Sequence, residues 1–269
     1  VLKWPRHEDA GSVARRLYEA FAKALEGKGV DAVFGGADEK AAPVMLALNH
    51  PNKTRPVITR HEQAASFMAC GYAIFSGRLG VCFATAGPGA FNLFSGMAVA
   101  MSDSYPVLAI SGFGPLEWEG KGALHETFGG GRTTDSPAMF AATPKRSDFW
   151  QKPAATCEVV EEAVNLAFSG RPGPVHIHIP ENLAHPDVTV DNYRDIKFDI
   201  RPVLPDPARI VAASSLLARA INEKRKIFAL IGFGAIRSRA GEELRTFLEK
   251  FQIPFATTLD GKGIIPENH

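Results

Sequence analysis

The run Gly80-Val81-Cys82-Phe83-Ala84, apolar throughout and followed at once by Thr85-Ala86-Gly87-Pro88-Gly89, leaves few folds open to this chain. A strand with no polar alternation is covered on both faces, which points to a parallel sheet between layers of helices. Residues 107–111 form a second run of this kind, and shorter strands are expected at 30–34, 56–58 and 175–179. Between them lie helical patterns. Val13, Leu17, Ala20, Phe21 and Ala24 recur at helical spacing over 11–26, and small residues at Ala64, Ala65, Ala69, Gly71 and Ala73 suit a tightly packed helix over 64–75. Further helices are expected over 41–48 and 158–169. Strands alternating with helices imply right-handed crossovers, so the fold class is α/β with a parallel sheet.

Two stretches interrupt the alternation. Residues 112–152 are rich in Gly, Thr and Pro and carry Phe113, Trp118, Phe128, Phe140, Phe149 and Trp150, the signature of a functional excursion or an interface. Residues 186–207 are polar and punctuated by proline, as an inter-domain linker would be. The expected organisation is a first domain over 1–185, a linker over 186–207 and a second, partial α/β domain over 208–269. That last part reads as helix 209–222, strand 227–231, helix 240–251 and strand 254–257.

Charge narrows the partners. Thirty Lys and Arg against 29 Asp and Glu leave no net field to recruit nucleic acid or a membrane surface, so a small metabolite is the natural ligand. Cys70, Cys82 and Cys157 have no paired spacing, which reads as reduced thiols in a cytoplasmic protein. No apolar run has the length of a bilayer span. Starting at Val1 and stopping at Asn268-His269 without a closing element, the sequence is expected to be part of something longer.

Chemistry concentrates at two strand ends. Thr59-Arg60-His61-Glu62-Gln63 places a carboxylate where a strand becomes a helix. Thr59-x-x-Glu62 also fits a capping box, in which the acid only satisfies a backbone N–H. Gly87-Pro88-Gly89 lies between the carboxyl end of a buried strand and a helix start, where open α/β sheets bind ligands; alone it is equally a tight turn. Asp103-Ser104-Tyr105-Pro106 and Ser169-Gly170-Arg171-Pro172-Gly173-Pro174-Val175 follow in order. Taken together, and with Thr85 to Asn92, these motifs resemble the pyrimidine-binding domain of thiamine diphosphate enzymes, in the acetolactate synthase and 2-oxoacid decarboxylase branch. The resemblance is good from Gly11 to Leu183 and looser from Ile227 to Pro266.

The resemblance implies a lyase or carboligase acting on a 2-oxo acid. Glu62 matches the glutamate that hydrogen-bonds the cofactor's pyrimidine nitrogen and promotes its imino tautomer, with a carboxyl pKa raised by burial against the ring. Thr85, Pro88 and Asn92 match residues lining the aminopyrimidine. His125, in Leu124-His125-Glu126-Thr127-Phe128-Gly129, is similar to a His-His stretch of decarboxylases and falls near a Phe-Gln-Glu of synthases. It is either a proton carrier for the substrate or a surface-loop histidine. Gly36-Ala37-Asp38-Glu39 stands where synthases carry Tyr-Pro-Gly-Gly, and its acids either alter the pocket mouth or cap the next helix. Relatives divide the cofactor between subunits, so a homodimer or homotetramer is implied, with the aromatic excursion at its interface. They hold magnesium and the diphosphate with a Gly-Asp-Gly motif. The nearest string here is Asp260-Gly261-Lys262-Gly263, so magnesium is expected on a further domain and catalysis only in its presence.

Other features carry less. His176 and His178 project from one face of a strand, but with no third ligand nearby in sequence no metal site is assigned. Gly232-Phe233-Gly234-Ala235-Ile236-Arg237 follows a strand like a dinucleotide loop, with Arg237 in place of the third glycine. By resemblance it opens the central domain, which holds flavin adenine dinucleotide in some members; nothing else here supports a flavin. A nucleotide-binding oxidoreductase built on that loop, and a non-catalytic interaction module, stand as the alternatives.

Overall fold

The computed structural model describes residues 15–27, 29–36, 54–183, 188–190 and 204–269. The helix expected over 41–48 and the acids Asp38 and Glu39 lie outside them. The chain divides into two units, Val1–Arg201 and Pro202–His269.

The first unit is built on a six-stranded parallel sheet. In chain order its elements are β1 (Arg15–Arg16), α1 (Leu17–Gly27), β2 (Ala32–Gly35), β3 (Arg55–Ile58), α2 (Glu62–Ser76), β4 (Gly80–Ala84), α3 (Pro88–Asn92) and α4 (Phe94–Asp103). There follow β5 (Val107–Phe113), α5 (Ser136–Ala141), β6 (Ser147–Phe149), α6 (Thr156–Phe168), β7 (Val175–Pro180) and β8 (Thr189–Val190). The sheet order is β3-β2-β4-β5-β7-β6. Every residue of β4 is buried, as its unbroken apolar run requires.

Successive side chains leave opposite faces of a strand, and the core divides accordingly. Val81 and Phe83 join Leu108, Ile110, Val160, Val164 and Leu25 on the face covered by α1 and α6. Cys82 and Ala84 join Ala109, Ala65, Ala69, Met97 and Ala100 on the face covered by α2 and α4. Small residues on that second face bring the helices close. A Cβ on Gly80 would lie 2.1 Å from the carbonyl oxygen of Ala69, so α2 rests almost directly on β4.

The sheet departs from the sequence expectation at its edge. Residues 112–152 contain β6, which pairs in parallel with β7, together with α5 and a short turn of helix at Leu116–Trp118. Ser147-Asp148-Phe149 has one apolar residue in three, too little pattern to read as a strand. Phe113, Phe140 and Trp150 are buried, so much of the aromatic excursion serves this unit's own core rather than an interface. Within the stretch expected as linker, Thr189–Val190 pairs antiparallel with Arg15–Arg16, and Val190 is buried in the core.

The second unit begins with α7 (Pro207–Asn222), capped by Asp206, whose carboxylate accepts the Ala208 N–H at 2.9 Å. β9 (Ala229–Ile231) and β10 (Phe255–Thr257) form a two-stranded parallel sheet, with α8 (Phe233–Arg237) and α9 (Gly241–Phe251) between them. Ile231, Leu248, Ile253 and Ile265 make its core. No helix among the described residues is long and apolar enough to cross a membrane.

Candidate active site

Strands β2 and β4 are neighbours whose onward connections leave in opposite directions, β2 toward β3 and β4 toward β5. Such a reversal opens a crevice at the carboxyl ends of the strands. Thr59 and Thr85 emerge there, one at the end of β3 and the other at the end of β4, and both are buried. The Thr59 N–H donates to the Gly35 carbonyl at 2.8 Å and ties the ends of β2 and β3 together.

The capping box is not formed. His61, with extended backbone angles, is the N-cap of α2, and its Nδ1 accepts the Gln63 N–H at 3.2 Å. The Thr59 hydroxyl is buried and has no partner among the described residues. Glu62, the first residue of the helix, is therefore released from capping. Its Oε2 accepts instead from the Asn92 side-chain amide at 2.9 Å. Among the described residues Oε1 accepts no hydrogen bond, which leaves one carboxylate oxygen for a ligand.

Close backbone approach makes this meeting possible. Gly87 is the N-cap of α3 with φ 63° and ψ −124°, a conformation that favours glycine. A Cβ on Gly89 would lie 2.6 Å from Thr85 Cγ2 and 3.1 Å from Glu62 Oε1. Gly89 thus forms the floor on which Glu62, Thr85 and Asn92 converge. Pro88, between the two glycines at the first turn of α3, is exposed at the rim. His125 reaches the same rim from another part of the chain, since a Cβ on Gly87 would lie 2.9 Å from His125 Cβ. Glu62, Thr85, Pro88, Asn92 and His125 are thereby gathered from α2, the end of β4, α3 and the loop after β5.

Two features were not legible in the sequence. Gly89 carries a steric role at the carboxylate itself, and Glu126 accepts from the N–H groups of both Gly120 and Gly122, the latter at 3.1 Å. The glycine spacing in that loop was the available signal. His176 and His178 do share a face of β7, yet they are fully buried and bonded to serines: His176 Nε2 to Ser111 Oγ at 2.9 Å, His176 Nδ1 to Ser147 Oγ at 2.8 Å, and His178 Nδ1 to Ser111 Oγ at 3.0 Å. Gly232 leads directly into the short helix α8.

A half-buried carboxylate with one oxygen fixed and the other open can hold an N–H or share a proton with a ring nitrogen. With no side chain at Gly89, a flat polar-edged group can approach the open Glu62 oxygen closely. Residues 15–136 match the family described as thiamine pyrophosphate enzyme, N-terminal TPP binding domain, and residues 215–269 match its central domain. A probable acetolactate synthase large subunit of Methanocaldococcus jannaschii is 38% identical over 256 residues, 93% of this chain and 41% of the relative. An acetolactate synthase of Arthrospira platensis is 35% identical over 97% of this chain and 45% of its own length, and an acetolactate synthase large subunit of Corynebacterium glutamicum 36% over 93% and 39%. The chain therefore spans less than half the length of these relatives. With both domain models matched in order, and the aligned relatives covering nearly all of it, this chain belongs to the thiamine pyrophosphate enzyme family.

Proposed function

We propose that this chain forms the pyrimidine-binding part of a thiamine diphosphate-dependent lyase or carboligase of the acetolactate synthase type, acting on a 2-oxo acid. The observation that carries the reading is the Glu62 carboxylate, held through Oε2 by Asn92 and open at Oε1 above Gly89. When bound, the cofactor supplies the electron sink that a 2-oxo acid needs to lose carbon dioxide. Glu62 would share a proton with the pyrimidine nitrogen, Asn92 would orient Glu62, and Thr85 and Pro88 would line the ring. His125 moves a proton at the substrate. The diphosphate and its magnesium are assigned to a separate domain of the complete enzyme, and no flavin enters the scheme. The domain division is 1–185 for pyrimidine binding and 208–269 for the central domain. Three buried free cysteines suit a reducing compartment, and we assign the protein to the cytoplasm as a homo-oligomer.

Calorimetric titration of the chain with thiamine diphosphate, NAD and FAD tests the reading. Binding of thiamine diphosphate alone is expected, weakened roughly 10- to 100-fold in Glu62→Gln, the scale of a lost charged hydrogen bond. In the complete enzyme the same substitution is expected to cost about a hundredfold or more in turnover. Binding of a nicotinamide or flavin nucleotide in place of thiamine diphosphate would overturn the assignment.

A further inference from the structure

Within the loop between β5 and α5, the stretch 120–125 holds three of its left-handed residues close together. Gly120 and Gly122 have φ of 74° and 81°, where glycine is at ease, but His125 has φ 58°, which a side chain disfavours. A non-glycine residue stays in that region only when its surroundings hold it there. The surroundings are on its carboxyl side. The Glu126 carboxylate accepts from Gly120 N–H through Oε1 and from Gly122 N–H through Oε2, while the Glu126 N–H donates to the Ala123 carbonyl at 3.1 Å. Convergent backbone N–H groups of this kind form a nest for an anion, and here the anion is the chain's own side chain. The loop also rests on an aromatic ring, since a Cβ on Gly120 would lie 3.5 Å from Phe128 Cζ. At its far end His125 meets Gly87, with Cα and Cγ each 3.4 Å from the position a Gly87 Cβ would take.

We propose that Glu126 is a positioning residue of the site: by gathering the Gly120 and Gly122 N–H groups it locks the loop in the arrangement that lays His125 against Gly87. Glu126 does not itself reach the reacting atoms. Its effect passes through the backbone it pins, and the residue it places is its immediate neighbour. The proposal rests on the reading of His125 as the proton carrier at the substrate. Both glycines are needed because a carboxylate has two oxygens and each takes one N–H. Glutamine keeps one carbonyl oxygen and therefore one of the two contacts, whereas alanine keeps neither.

The test uses the 269-residue chain labelled with ¹⁵N and ¹³C. In the parent protein a nuclear Overhauser contact between His125 and Gly87 is expected, together with slow amide exchange at Gly120 and Gly122. Glu126→Ala is expected to abolish the contact and to speed exchange at both glycines about tenfold or more, with the urea midpoint of the first unit unchanged, as suits a loop contact. Glu126→Gln is expected to restore the contact in part and to protect one glycine. Survival of the His125–Gly87 contact in Glu126→Ala overturns the proposal, and so does failure of glutamine to rescue. The function of the site is scored separately by thiamine diphosphate titration of Glu62→Gln. A parent-like affinity there removes the functional reading, while the loop measurements still decide whether Glu126 positions His125.

Discussion

Glu62 can offer an oxygen to a ligand because Asn92 occupies the other and His61 has taken the capping duty. Gly89 sets the distance at which this happens. Gly89→Ala inserts a methyl 2.6 Å from Thr85 Cγ2, against a residue that is itself buried, so either Thr85 or Glu62 must move. We expect a loss of about 1–3 kcal/mol in stability, the usual cost of overpacking, and a loss of thiamine diphosphate binding. Parent-like binding by calorimetry would show that the floor at Gly89 is not part of the site. A second residue-scale effect lies away from it. Burial pushes the His178 imidazole down to about 3, and burial followed by the neighbouring His178 holds His176 well below its ordinary value. One run of donors suits the neutral pair: His178 Nδ1–H to Ser111, Ser111 O–H to His176 Nε2, and His176 Nδ1–H to Ser147, with His178 Nε2 left as a bare acceptor. Protonating His178 puts an N–H at Nε2, where no acceptor stands among the described residues, and protonating His176 turns its Nε2 into a donor, reverses the Ser111 hydroxyl and buries a charge beside His178. Both folded pKa values are lowered, so this contribution to stability is complete above about pH 6.5 and is lost as pH falls toward the folded values. The slope is roughly 1.4 kcal/mol per pH unit for each histidine in that window. Urea unfolding at pH 7, 6, 5 and 4.5 should show it, and His178→Gln should remove about half. Equal slopes in parent and variant would refute the argument.

At the scale of elements, α2 delivers Glu62, and its position is fixed by its bed on β4. Gly80→Ala would push a methyl to 2.1 Å from the Ala69 carbonyl oxygen and 2.8 Å from its carbon, both backbone atoms that no rotamer change can move. We expect at least about 2 kcal/mol of destabilisation, near the upper part of the overpacking range, read from the urea midpoint. A neutral result would mean that α2 slides freely on the sheet. The elements that sequence reasoning locates well are those whose burial is nearly complete. β4 was readable residue for residue because every position is apolar and covered. β6 was not, because an edge strand of Ser, Asp and Phe has no period to detect and is defined only by its pairing with β7. The same limit applies at the site. Thr59-x-x-Glu62 satisfied a local capping rule, and what overrode it was Asn92, 30 residues away along the chain. His125 and Glu126 were visible as residue types, but their meeting with Gly87 and with Gly120 and Gly122 depends on a loop closing over the sheet end, which no local pattern encodes.

For the whole molecule, the question is where a second copy would meet the first. The aromatic excursion was the expected interface, but Phe113, Phe140 and Trp150 are already spent inside the first unit. The outward face of α2 is the better candidate. Met68 and Phe75 lie close to two turns apart on that helix, with Phe67 about 100° round from Met68, and Phe67, Met68 and Phe75 are 43, 45 and 92% exposed. Met101 of α4 and Ile58 at the end of β3 are also exposed, at 39 and 58%. Large apolar side chains grouped on one element of a surface are characteristic of association sites, whereas single ones are ordinary. The face belongs to the helix that begins with Glu62, so a partner docked on it would also stiffen the site. We expect sedimentation velocity at tens of micromolar to show a dimer for the parent chain and a monomer for Phe75→Asp. Because Phe75 is so exposed, its substitution should leave circular dichroism and the urea midpoint of the first unit unchanged. Trp118→Ser, which alters the one excursion residue among Phe113, Trp118, Phe140 and Trp150 that is exposed, should leave the dimer intact. A dimer that survives Phe75→Asp and dissociates with Trp118→Ser would return the interface to the excursion, and a monomeric parent would remove the homo-oligomer from the proposed function.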